Sequence, residues 1–159
     1  GGPSAGVPVG RQGVRVALNF VDVLDDLETA LDGANGLRSS ERAIDPDSVP
    51  HAKADGAYSV YLVIDEDSPA PARGRTESRV EAVARITWVR QTTPAKHKAT
   101  TRQLMADADV IRVRLLGTGD WSRRYDTQFV SVSTSVSAAR EWMFGRATYR
   151  LRFYATNTV

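Results

Sequence analysis

The sequence predicts an α+β fold in a single domain: a mixed or antiparallel four-stranded sheet packed with two helices, in the order α-β-β-α-β-β. Three observations predict it. Apolar residues recur at helical spacing from Phe20 to Leu31, they alternate with polar ones at period two from Val80 to Trp88, and strand-like runs follow Val130. A chain of 159 residues, 42% hydrophobic and 25% charged, buries one core without staples.

Gly1 to Gly13 are rich in Gly, Pro, Ser and Ala. They read as a flexible arm, residues 1–13, ahead of a domain over 14–159. They lack the charged start and apolar run of a signal peptide. Phe20, Val23, Leu24, Leu27 and Leu31 fall at i, i+3, i+4, i+7 and i+11, one face of a helix. Asp22, Asp25, Asp26, Glu28 and Asp32 take much of the other face, several in early turns where the helix dipole favours acids. Gly33 and Gly36 stop it, which predicts a helix over 15–33.

Residues 37–57, with Pro46, Pro50 and Gly56, form an irregular connection. Tyr58 to Ile64 is apolar on both faces and suits a central strand. Val80, Ala82, Ala84, Ile86 and Trp88 alternate with Glu81, Arg85 and Arg90, a strand over 79–90 with one wet face. The two make a hairpin whose long tip, residues 65–78, holds Pro69, Pro71 and Gly74. Residues 96–117 carry two readings. Leu104, Ala108, Ile111 and Leu115 follow helical spacing, whereas Ile111, Val113 and Leu115 with Arg112 and Arg114 follow strand spacing. The helix formers of Ala99 to Ala108 favour a helix to 117, leaving 109–116 open between helix and strand. Val130 to Val136, alternating with serines, is a third strand, and Ala147 to Ala155 a fourth. Residues 137–146 connect them and expose at least some of Trp142, Met143 and Phe144.

Cysteine is absent, which excludes disulfides, zinc-thiolate sites and thiol nucleophiles. No apolar run approaches the roughly 20 residues of a membrane helix. An intracellular, reducing compartment is the default expectation. Charge is unevenly placed: residues 1–80 hold eight Lys/Arg against thirteen Asp/Glu, a balance of −5, and residues 81–159 hold thirteen against six, a balance of +7. Either the split is incidental, or it gives a bipolar surface whose acidic side meets the basic side of a neighbour.

Catalysis needs a positioned nucleophile, acid or base. His51 sits beside Pro50 and His97 between two lysines, neither at metal-ligand spacing, and both read as surface residues. Asp65, Glu66 and Asp67 follow a strand, as magnesium ligands often do, but they open a Pro-rich tip and read as solvated acids. Gly117-Thr118-Gly119 lacks the Lys-Ser/Thr pair of a phosphate loop and reads as a turn. Ser131, Ser133 and Ser135 are a wet strand face. No catalytic, metal or cofactor site is expected.

The stronger signals concern surfaces. The tip is acidic at one end, Asp65 to Asp67, and basic at the other, Arg73, Arg75 and Arg79. Loops of that length are functional or disordered. Trp121 with Arg123, Arg124 and Tyr125 brings together residue types enriched at interface hot spots, unless Trp121 caps the core. Trp142 and Phe144 divide in the same way between core and interface.

An N-terminal amphipathic helix at Phe20 to Leu31, a long-tipped hairpin from Tyr58 to Trp88, a helix around Leu104 to Leu115 and a closing run from Ala147 to Ala155 follow in that order. That pattern resembles the tail terminator, or tail-completion, proteins of long-tailed bacteriophages. The resemblance covers most of 14–155 at the level of element order, with no diagnostic motif. It implies a structural virion protein forming a hexameric ring on the head-proximal end of the tail tube. Such a ring ends tube polymerisation and joins the tail to the head connector. The implied partners are further copies of the chain, the tail-tube protein and the head-closure protein, with DNA passing through the ring and no membrane. The implied location is the virion, reached from the host cytoplasm during assembly. The tip 65–78 would then contact the tube, and Trp121, Arg123 and Arg124 a neighbouring subunit or ring.

Three other readings compete. A different connector or tail-tube subunit is the nearest, although two helices favour a cap. A nucleic-acid module would use Arg150, Arg152 and Tyr154 on a basic strand. An enzyme would rest on the acids at 65–67.

Overall fold

In the computed structural model the sheet is built around its last strand. The structure describes residues 17–51, 53–66, 76–117 and 119–157. The arm over 1–13 and the tip residues Asp67, Arg73 and Arg75 lie outside these. The elements are β1 (Ala17–Leu18), α1 (Phe20–Leu31), β2 (Arg38–Ser39), β3 (Ala57–Glu66), β4 (Glu77–Gln91), α2 (His97–Leu116), α3 (Asp120–Arg124), β5 (Asp126–Val136) and β6 (Trp142–Thr156).

The fold is mixed α and β, with four long strands. The four-stranded sheet with two helices is nevertheless too small a description. Two short parallel strands bring the sheet to six, in the order β1-β6-β4-β3-β2 with β5 also on β6, and α3 is a third helix. β4 runs antiparallel to β6 over its whole length, Glu77 against Thr156 to Gln91 against Trp142. On the other side of β6, β5 covers Met143–Arg152 and β1 pairs with Tyr154 and Ala155. β2 touches only Ala57 and Tyr58 of β3. Strands of two residues show no period, which is why the sequence reading passes over them.

Both larger helices lie on one face of the sheet. Val80, Ala82, Ala84, Ile86 and Trp88 of β4 and Ala147, Tyr149, Leu151 and Phe153 of β6 point to that face and form the core with α1 and α2. α2 packs over β4, β5 and β6. Leu104, Ile111 and Leu115 are buried at helical spacing while Val113 is exposed, so 109–116 is helix. α1 begins at Phe20, later than the expected 15, because residues 17–18 pair with β6. The Asn19 amide donates to the Asp22 carboxylate at 2.9 Å, one half of a capping box. Gly33, at φ 78°, ends the turn beyond it in a conformation that favours glycine. Val23, Leu27 and Leu31 are buried, but Phe20 and Leu24 of the same apolar row remain 53% and 42% exposed.

Residues 137–146 depart most from expectation. β6 already starts at Trp142, and Trp142, Met143 and Phe144 are all buried. Met143 joins the main core, whereas Trp142 and Phe144 lie on the opposite face with Val89, under Ile44 and Ala54 of the irregular connection. Of the two readings of Trp142 and Phe144, their burial favours the core one.

Two tight contacts hold the layers in register. Asp107 of α2 is fully buried and accepts from Arg90 Nε at 2.9 Å, Arg90 Nη2 at 2.7 Å and Asn35 Nδ2 at 2.7 Å. Helix, strand and the turn at 33–37 meet on that carboxylate. In β6, Gly145 faces Trp88, and a Cβ there would stand 2.3 Å from the indole. The Trp88 indole nitrogen is buried without a partner, an arrangement that costs about 1–3 kcal/mol.

Candidate functional site

The functional candidates are surfaces of the sheet and the crevices at its ends. Among the described residues no group of three or more His, Asp or Glu side chains is placed to hold a metal ion. His51 is exposed and accepts from the Lys53 amide at 3.2 Å, and the His97 ring lies 3.1 Å from the Arg140 carbonyl. Asp65 is exposed at the end of β3 opposite Glu81. Glu66 is the last residue of that strand.

Three tyrosines are strongly perturbed, all by packing. Burial first, then Asp32 and Glu28, push the Tyr58 phenol from 10.0 to about 12. Burial does the same to Tyr149, also to about 12. Burial and a 2.6 Å bond donated to Asp26 raise Tyr125 as well. A phenol that keeps its proton more tightly when folded stabilises the fold below its unfolded pKa, and that contribution is lost as pH rises through the folded value. Stability should therefore fall between pH 10 and 12 in denaturant titrations. A Tyr58→Phe/Tyr125→Phe/Tyr149→Phe variant should show a flatter profile over that window.

α3 brings several sequence candidates together. Trp121 stacks on Tyr125 with ring centroids 4.1 Å apart and donates to Thr127 at 2.9 Å. It is half-buried and packs α3 against the core. Arg124 pairs with Asp26 of α1 at 2.8 Å, a bond that raises its pKa further. Arg123 is exposed beside Asp120 at 3.6 Å. Arg79 of β4 reaches Asp126 at 4.0 Å and lies 5.8 Å from the Tyr154 ring. Arg79, Arg123 and Arg124 line one open crevice of about 560 Å³, joined there by Arg152 and Tyr154. Sequence distance hid this grouping, since its members lie on β4, α3 and β6.

The helix-free face of the sheet is covered at one end by Ile44 and Ala54. Beyond that end Tyr61 and Val63 of β3 and Arg85 of β4 stand exposed. Arg150 and Arg152 of β6 both reach Glu81, at 3.2 and 3.9 Å, so one of the charges on the basic C-terminal strand is offset from within.

α1 flanks β3. The Tyr58 hydroxyl donates to the Glu28 carbonyl at 3.4 Å, and Leu24, Asp25 and Glu28 share a groove of about 730 Å³ with Val60 and Tyr61. α1 carries Asp22, Asp25, Asp26 and Glu28 and no base. The exposed surface of α1 is therefore acidic, while Arg42, Arg85 and Arg146 line the other walls of that groove, and the crevice where β5 begins holds four arginines. The exposed Phe20 and Leu24 of α1 were missed as candidates because their spacing assigned them to the core. No protein-family model matches the chain, and no curated protein matches it.

Proposed function

We propose that this chain is a structural subunit of a phage virion. It caps the head-proximal end of the tail tube as a ring, ends tube polymerisation and joins the tail to the head connector. The observation that carries this reading is the presence of two unlike patches on the subunit. Acidic α1 flanks β3, and the arginine-lined crevice opens where β5 begins. A ring grows from head-to-tail contacts in which one patch meets a different, complementary patch on the next copy. Patches of opposite charge suit such a contact and disfavour self-pairing of either patch. The element order through α1, the β3–β4 hairpin, α2 and the β5–β6 pair is the one on which the resemblance to tail terminators rests.

Light scattering across concentration, with negative-stain images of the same sample, tests the ring, and rings of about six subunits are the expected result. The tip 65–78 is assigned to the tube. An Arg73→Glu/Arg75→Glu variant should lose tube capping while keeping its thermal midpoint. Normal capping by that variant would remove the tip from the contact.

A nucleic-acid module is the second reading, favoured by the exposed Arg85 on the open sheet face. It predicts affinity that falls steeply with salt.

A further inference from the structure

We propose that β5 of one copy pairs antiparallel with β3 of the next, so that the sheet continues from subunit to subunit. This rests on the ring reading and names the contact that closes it.

Both strands offer a backbone edge with no strand on it among the described residues. The Ser40 amide donates to the Tyr58 carbonyl at 2.8 Å, so the backbone groups of Tyr58 point away from β4. Alternation turns those of Val60, Leu62 and Ile64 the same way, and β2 stops at Tyr58. On the far side of the sheet, the Ser137 amide donates to the Trp142 carbonyl at 2.8 Å. Alternation then turns the backbone groups of Val132, Thr134 and Val136 away from β6. The two open stretches, 60–64 and 132–136, match in length.

Their directions also match. β3 is antiparallel to β4, β4 to β6 and β6 to β5. β5 therefore runs opposite to β3 within one subunit. A ring axis along the strands preserves that relation between copies, so the junction is antiparallel. Side-chain orientation agrees as well. Val60, Leu62 and Ile64 lean on the helix-side core, and Val132 sits on the same face opposite Ala147.

The flanks supply the occupant's identity. Beside the β3 edge, Leu24 of α1 is exposed, and Asp25 and Glu28 form the α1 wall of a groove whose other walls include Arg42, Arg85 and Arg146. Along β5, Phe129, Val130 and Val136 are exposed, and Arg112 of α2 lies over the Phe129 ring at 5.7 Å. Apolar surface meets apolar surface, and a basic helix residue meets an acidic helix. An exposed edge of this kind is a template for strand addition unless a partner occupies it. The same chain carries both halves.

Disulfide trapping reads the pairing directly, because the protein has no cysteine of its own. Val63 and Tyr61 of β3 and Ser131, Ser133 and Ser135 of β5 are exposed, so cysteines there leave the core intact. Six double variants combine Tyr61→Cys or Val63→Cys with Ser131→Cys, Ser133→Cys or Ser135→Cys. They are oxidised at ring-forming concentration and run on non-reducing gels. Thermal midpoints within a few degrees of the parent confirm folding. The expected result is a ladder of covalent oligomers in the one or two double variants that match the register, absent from every single variant and lost on reduction. Rings in the microscope with no ladder in any double variant would overturn the strand pairing and leave the ring reading standing. Covalent dimers from a single variant would show an edge pairing with itself and overturn the head-to-tail junction. Monomers without cross-links, alone and with tail tubes, would overturn both.

Discussion

Asp107→Ala should unfold the protein more readily than any surface change, by about 3–5 kcal/mol. The carboxylate is fully buried on α2 and receives two bonds from Arg90 and one from Asn35. Removing it leaves the Arg90 guanidinium, itself 16% exposed, without its counter-charge. A guanidinium is not deprotonated in proteins, so it does not escape by losing its proton. The same carboxylate joins α2, β4 and the turn at 33–37, so the damage spreads over three elements. For a chain of this size the thermal midpoint should drop by on the order of 10 °C. The converse variant separates charge from packing. Arg90→Met with Asp107→Leu removes both charges, and it should recover much of the loss, because apolar replacements of buried ion pairs are often neutral or better. Equal damage in the single and double variants would mean that the pair is needed for its geometry.

Gly145→Ala is the second large effect, about 3 kcal/mol, the upper end of what overpacking costs. The added Cβ would lie 2.3 Å from Cε2 and 2.4 Å from Cζ2 of Trp88. Trp88 is fully buried near the C-terminal end of β4, so its indole is packed on all sides. Trp88→Leu alone leaves a cavity and costs several kcal/mol. In the double variant the methyl group enters the space the indole leaves. Urea denaturation of all four proteins should then show a coupling of about 1–3 kcal/mol in the relieving direction. Strictly additive costs would mean that the strain is relieved by movement of β6.

These two residues mark the limit of what patterns can show. The alternation of Val80 to Trp88 is legible because one face of β4 is wet there. Trp142-Met143-Phe144 shows no alternation because both faces of β6 are covered at that end, one by the core and the other by Ile44 and Ala54. A run buried on two sides reads as a connection. On α1 the error runs the other way. Phe20 and Leu24 have core spacing, yet they stay exposed. On α2 strand and helix spacings coincide over Ile111 to Leu115, and the burial of Leu104 one helical repeat earlier decides for the helix.

The candidate surface was legible in type and hidden in place. Arg79, Arg123 and Arg124 are visible as basic residues near aromatics, and the structure gathers them around one crevice. Which strands own the open edges depends on neighbour order, and β5 lies beside β6 while β3 lies outside β4. No local pattern encodes that order, because it is set by pairings between residues far apart in the chain.

The place of β6 has a consequence during synthesis. β4, β5 and β1 all hydrogen-bond to this one strand, which the ribosome makes after each of them. A nascent chain that has reached Ser137 holds both main helices and the β3–β4 hairpin, but it has nothing to bridge β4 to β5. The bare edges of β4 and β5 stay open to any neighbouring polypeptide until residues 142–156 emerge. Completion of β6 therefore acts as the commitment point of folding. Crowded polysomes making this chain face their greatest risk of cross-chain pairing in the interval just before it.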